Sequence, residues 1–398
     1  MQLLHTPGTK RLTAVLFLGM VLVGMTQLAI PLHALRLGAS PGSLGILIGA
    51  LGVGAMLLSI SSSALSAYLG FRTLIFVSFL LWIGASAVSF LAPALSWLVG
   101  SQFLIGLADV FLWVAAITYL TELAPAGKQA AVQSWSSGIM GVGAAVGPVV
   151  GGYVGQAAGF RSVFVVTIAL AILGLLLCHR LPAPQHPKER GPLMRHVIVS
   201  HFDAVKLIRT NGPARLAALL TLLGTMSWVT VGPSLYIAYL NQLGVSADVI
   251  GLLTTLRAGA GTLGRFGFAL FATRTGVLVA TFSSFALGGL ALAATPFLTA
   301  VPVLALVGSL GEAADRLRIP GIQTMMADGT DTTTRALSFS LISFSWALGS
   351  AVMPPILGVI ADRVSLSAAF LIPGSLAVLV ALVSYASTRR RTSQPSRA

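Results

Sequence analysis

A chain of 398 residues that is 56% hydrophobic and only 9% charged, with a mean hydropathy of +0.92, lies far outside the composition of soluble domains. Its formal charge of +14 would suit a nucleic-acid binder, but the basic residues follow membrane topology instead of forming a patch. What remains is an all-α polytopic membrane protein.

A span needs about 20 mainly apolar residues to cross about 30 Å of hydrocarbon. Apolar runs of that length are read near 13–35, 44–67, 73–93, 96–120, 134–157, 161–179, 215–239, 247–272, 277–297, 300–325, 337–360 and 366–387, twelve transmembrane helices in all. Lys10 and Arg11 precede a run from Leu12 to Leu35 that exceeds the 7–15 residues of a signal-peptide core, so it is read as an uncleaved first helix. The single cysteine, Cys178, is assigned to packing. Residues 181–213 hold four prolines and a charge cluster and join two halves, 1–180 and 214–388; an amphipathic helix is expected over Val197–Ile208. The tail 389–398 is basic, and the chain from Thr388 is expected to be disordered.

The connections after odd-numbered spans contain only Arg36, Arg161 and Arg363. The opposite side holds Lys10, Arg11, Arg72, Lys128, the central run from Arg180 to Arg215, Arg274, Arg335 and the tail arginines. Positive residues stay inside, which places both termini and the central loop in the cytoplasm of a cell whose cytoplasmic (inner) membrane the chain spans, with anionic lipid headgroups as neighbours.

The halves repeat at an offset of 206 residues. Ala108-Asp109 recurs as Ala314-Asp315, and the frame Gly143-x-Ala-Val-x-Pro148-x-x-x-Gly152 recurs ungapped as Gly349-x-Ala-Val-x-Pro354-x-x-x-Gly358. Ser40/Ser246, Gly45/Gly251, Gly70/Gly276 and Phe164/Phe370 keep the register. Two pseudo-symmetric six-helix bundles are expected, an organisation typical of transporters. The string Gly143-Ala-Ala-Val-Gly147-Pro148-Val-Val-Gly151-Gly152, with Gly159-Phe160-Arg161 and Glu122-Leu-Ala-Pro125, resembles the major facilitator superfamily, in particular its drug:proton antiporter branch. The resemblance covers essentially the whole chain and implies alternating access and efflux of a small molecule in exchange for protons. Two positions depart from the pattern: Ala67 stands where the family has an aspartate, and Gln102 where proton-coupled exporters have an arginine.

Glycines without Cβ let helices approach, and Pro148 and Pro354 each remove a backbone donor, so this frame is the candidate rocking interface. Ionisable groups at membrane depth are costly and by default functional. There are seven: Asp109, Arg257, Arg265, Glu312, Asp315, Arg316 and Arg318. Gln102, Gly106, Asp109 and Trp113 share one helical face. Glu312 and Arg316 at i, i+4 and Asp315 and Arg318 at i, i+3 are spaced to pair. Arg265 and Arg318, nearer the cytoplasmic ends, are assigned a gate or snorkelling role. Arg257 has no acid within a turn, and needs Asp109, Glu312, Asp315 or an anionic substrate group.

The substrate site is therefore expected to draw on Gln27, Asp109, Trp113, Arg257, Glu312, Asp315 and Arg316, with Asp109 and Asp315 as proton carriers. Thr26, Phe111, Gln133, Trp135, Trp228, Tyr236 and Trp346 are candidates for an apolar wall. No phosphate-binding glycine loop, metal-spaced Cys/His cluster or nucleophile/base constellation is visible, so no cofactor, metal or enzymatic activity is expected. The reading is a monomeric secondary transporter exporting a small amphipathic or anionic organic compound. Uptake of an organic anion or siderophore is the alternative within transport, and a non-transporting receptor or scaffold the alternative outside it.

Overall fold

The computed structural model describes residues 7–59, 61, 65, 68–123, 129–181, 206–231, 234–328 and 332–392. The elements are α1 (Pro7–Arg36), α2 (Pro41–Ser59), α3 (Phe71–Leu91), α4 (Leu95–Leu123), α5 (Gln129–Ala158), α6 (Phe160–His179), α7 (Gly212–Val231), α8 (Leu235–Gln242), α9 (Ala247–Thr275), α10 (Val277–Ala294), α11 (Val301–Asp328), α12 (Thr332–Arg363) and α13 (Leu366–Thr392). Among the described residues, nine helices are long and apolar enough to cross a membrane. The three other expected spans coincide with α7 followed by α8, with α9 and with α11. The last two have ample length, 29 and 28 residues, but Arg257 and Arg265 on one, and Glu312, Asp315, Arg316 and Arg318 on the other, take them below the hydropathy of a lipid-facing helix. The expected span 215–239 is two helices, with the helix-interrupting pair Gly232-Pro233 between them in the sequence.

Residues 206–210 are helical, while the rest of the expected amphipathic helix, and Ala67, lie outside the described residues. Disorder is expected from Thr388, but α13 runs to Thr392, and residues 393–398 lie outside the described residues.

The repeat is visible as geometry. In the first half α1 packs on α5 and α6, α2 on α4, and α3 on α4 and α6; in the second, α7 packs on α12 and α13, α9 on α11, and α10 on α11 and α13. The halves meet along α2–α12 and α5–α9, two joints that exchange under the same half-to-half shift. At one joint a Cβ on Gly152 would sit 3.2 Å from the Gly251 Cα, and at the other a Cβ on Gly358 would sit 2.9 Å from the Gly42 Cα. Ser40 Oγ donates to Asp362 at 2.8 Å, and at the equivalent place in the other joint the Ala247 amide donates to Gln156 Oε1 at 3.4 Å.

Two further pairs have the same offset without having been read from the sequence. Gly38 and Gly244 both adopt positive φ, 83° and 74°, and close matching helix ends: Ala39 N donates to Ala34 O and Val245 N to Leu240 O, at 3.0 and 3.1 Å. His33 meets Phe164 edge-on, and Tyr239 meets Phe370 edge-on, each at 5.8 Å. His and Tyr do not align as letters, but both supply a flat ring against the same buried phenylalanine.

The glycine–proline frame has two working faces. Gly143, Gly147 and Gly151 approach α1, with Gly147 set against Gly24, while Pro148 and Gly152 approach α9. Gly349 likewise approaches α7, and Pro354 and Gly358 approach α2. A leucine at Gly152 would bring its Cβ to 2.7 Å from the Ala247 carbonyl, so the joint must part. Gly152→Leu is expected to destabilise the protein by about 1–3 kcal/mol through overpacking. The check is thermal unfolding in detergent; an unchanged melting temperature would mean the two helices do not cross there.

Candidate functional site

Two clusters of charge form where α11 crosses its neighbours. In the first, Glu312 on α11 uses both carboxylate oxygens: Oε1 accepts from Arg316 Nε at 2.8 Å, and Oε2 accepts from Arg257 Nη2, reaching over from α9, at 2.9 Å. Arg257 lies over the face of Tyr236 from α8, with its guanidinium carbon 4.3 Å from the ring centroid. Glycines one turn away on each helix make room: Gly261 lies against the stems of Arg316 and Glu312, and Gly308 against Arg257 and the Tyr236 hydroxyl. Side chains at either position would push the ion pairs apart.

The second cluster is closed. Arg318 grips Asp315 with a two-pronged fork, Nε to Oδ1 at 2.8 Å and Nη2 to Oδ2 at 3.1 Å, and Nη2 also donates to the Gly224 carbonyl of α7 at 2.9 Å. Phe285 of α10 covers the guanidinium, its centroid 5.2 Å away. Arg318 is buried and ties α11 to α7 and α10, so it is neither a snorkelling side chain nor a lipid-facing one. Both intrahelical pairs expected from spacing are thus formed. The partner of Arg257 is Glu312, one of the four alternatives left open by the sequence.

The charges do not balance in the first cluster. Two guanidiniums share one carboxylate, and Arg316 keeps its terminal nitrogens without a hydrogen bond among the described residues. Burying a guanidinium with half a counter-ion is costly at membrane depth.

Asp109 lies in the first half, on α4. The repeat equates it with Asp315, but the position that holds Arg318 in the second half holds Leu112 here, packed against Gly19. Along α1, α2, α3 and α5, which pack on α4, charged side chains occur only near the ends of α1 and at the start of α3. Among the described residues Asp109 has no ion pair. Gln102, Gly106, Asp109 and Trp113 do share a face, and exposure rises along it: Gln102 and Gly106 are buried, Asp109 is partly buried and Trp113 is 44% exposed. Trp113 is about 160° round the helix from the exposed Trp97, hence on the inward side.

Gln27 is partly buried on α1, and neighbouring Thr26 is buried, its hydroxyl bonded to the Leu22 carbonyl at 2.9 Å. No hydrogen bond or ion pair joins Gln27, Asp109 or Trp113 to the arginine cluster among the described residues. The side chains of Gln133, Trp135 and Trp228 lie outside the description, while Tyr236 is brought directly under Arg257. Sequence reasoning missed Gly224, Gly261 and Gly308. The available signal was a glycine one turn from a buried charge on the same face, as with Gly261 after Arg257 and Gly308 before Glu312.

Comparison with known proteins agrees with this architecture. A variant of the nucleoside transporter NupG with an aspartate changed to alanine superposes with a TM-score of 0.77 at 15% identity, covering 95% of this chain and 98% of the other. The peptide transporter POT, as a glutamate-to-glutamine variant in complex with sulfate, superposes with a TM-score of 0.80 at 16% identity over 97% and 95%. Unmutated NupG gives 0.72 at 14% over 96% and 99%. At these identities the likeness speaks for the fold alone. The family model of the Major Facilitator Superfamily matches residues 12–224 and 217–398, which together take in nearly the entire sequence. With two halves joined at repeated helix crossings, a charged site between membrane-length helices and that match, the chain belongs to the Major Facilitator Superfamily.

Proposed function

We propose that this protein is a secondary transporter working by alternating access, with a small organic anion as its cargo and the arginine cluster of α9 and α11 as its binding site. The observation that carries the reading is the sharing of Glu312 between Arg257 and Arg316, which leaves positive charge uncompensated midway along both helices. A solute carboxylate or phosphate supplies the missing charge, and the exposed Trp113 face across the interior offers apolar contact for its organic part. The repeated joints, crossing at glycine and proline, provide close contacts about which the two halves can rock. Asp109 is the proton carrier, because its equivalent Asp315 is already held by Arg318. Membership in the superfamily makes the protein a transporter of the multi-pass type and not an enzyme.

The span 5 string supports export, in exchange for protons, across an inner membrane with both termini in the cytoplasm. Import of the same class of anion is the second reading, favoured by the net positive site. Counterflow and pH-jump assays in oriented proteoliposomes separate the two directions.

Arg257→Ala removes a guanidinium that touches both Glu312 and Tyr236. It is expected to weaken binding of anionic ligands by at least about tenfold, the lower range for close charge pairs, while neutral analogues change little. Binding isotherms on the purified protein give the comparison. Equal loss for charged and neutral ligands would return Arg257 to a purely structural role.

A further inference from the structure

Arg265 lies two turns beyond Arg257 on α9 and is exposed. Its direction decides its role. The exposed leucines of α9, Leu252, Leu256, Leu263 and Leu270, form one stripe, and Arg265 is set about 140–220° round the helix from each of them. That stripe is the lipid side of a membrane-length helix. The opposite side of α9 lies between its two packing partners: Gly264 meets Ala313 of α11, and Thr255 donates to the Ala145 carbonyl of α5 at 2.6 Å. Arg265 therefore opens into the interior between α5 and α11, and the snorkelling role assigned from sequence does not fit its direction.

Among the described residues no acid is left for it. It lies within electrostatic reach of Arg316, Glu312, Asp315 and Arg318, but Glu312 is divided between Arg257 and Arg316, and Asp315 is held in the Arg318 fork. Among the described residues, and without that closed pair, three guanidiniums (Arg257, Arg265 and Arg316) stand against one carboxylate, Glu312, a surplus of two positive charges. Gly261, whose own side of α9 is covered by the Arg316 stem, comes one turn before Arg265. The two incompletely paired cations are thus staggered by about 5 Å along the helix.

We propose that Arg265 is a specificity-determining residue and that the cargo is an organic dianion, with one acidic group on the terminal nitrogens of Arg316 and a second, a few bonds away, on Arg265. This rests on the anion-transport reading and names its substrate class. A monoanion would leave Arg265 without a partner, and a dianion neutralises the site.

The test uses the full chain in detergent and in proteoliposomes, with matched probes that differ by one carboxylate: succinate against butyrate, and phthalate against benzoate. In the unmodified protein the dicarboxylate of at least one pair is expected to bind at least about tenfold more tightly. In Arg265→Gln the ratio within that pair is expected to collapse toward one, and in Arg265→Lys, which keeps the charge, to survive in part. Equal affinities within both pairs, or a preference unchanged by Arg265→Gln, would overturn the dianion assignment while leaving the anion reading standing. Binding of none of the four acids by the unmodified protein would bring down both.

Discussion

Asp315→Asn is expected to lower the stability of the protein by about 3–5 kcal/mol, the cost of stranding one member of a buried ion pair. Arg318 keeps only the Gly224 carbonyl and the Phe285 ring once the carboxylate is gone. Arg318→Met strands Asp315 in the same way and is expected to cost a similar amount. The double variant removes both charges together and is expected to be more stable than either single one, because groups in contact do not add. Thermal unfolding of the four proteins in one detergent completes the cycle. Additive losses would show that the fork contributes nothing as a pair.

Asp109→Asn is expected to abolish accumulation driven by a pH gradient and to leave solute counterflow intact. One pH unit supplies about 1.4 kcal/mol per exchanged proton, or about tenfold accumulation, and the variant should show none of it. Asparagine has nearly the shape of aspartate but takes no part in proton exchange, so the packing of α4 is preserved. Proteoliposomes loaded with solute and shifted in external pH give the readout. Undiminished pH-driven accumulation in Asp109→Asn would remove this residue from coupling. The two acids of the repeat thus separate by experiment: loss of Asp315 is read in melting temperature, loss of Asp109 in coupling.

The separation comes from one position. Three residues after the acid, the first half has Leu112 and the second has Arg318, and the leucine packs into the space that Gly19 leaves open. From the sequence both acids were equal candidates for proton transfer and substrate contact, because a helical spacing of three says which groups can meet and not which are already satisfied. Arg257 illustrates the same limit. Its depth along the helix was legible, but its partner depends on how α9 and α11 are turned toward each other, and four groups qualified before that rotation was known.

The fold was more legible than the site. Nine of the expected spans coincide with membrane-length apolar helices among the described residues, the expected spans on α9 and α11 are helices of lower hydropathy, and the expected span 215–239 is two helices. The glycine–proline frame pointed to close helix crossings because only residues without a large side chain allow them, and both copies lie at a joint between the halves. The register also reached further than identity: Gly38 with Gly244, and His33 with Tyr239, repeat a turn and a ring contact that a comparison of letters had passed over.

By itself the sequence determined that this is a membrane protein, that it consists of two related halves, and that its charges are concentrated in the second. Those properties follow from composition, periodicity and the cost of charge in lipid, which act along a single chain. Only the tertiary structure decided that Arg318 also reaches the Gly224 carbonyl of α7, that Tyr236 lies under Arg257, that Glu312 serves an arginine of α9 as well as its own, and that Arg265 faces inward. Each of these depends on the rotation of one helix about its axis relative to another, which is set by packing across many residues and has no signature in the spacing of any one segment.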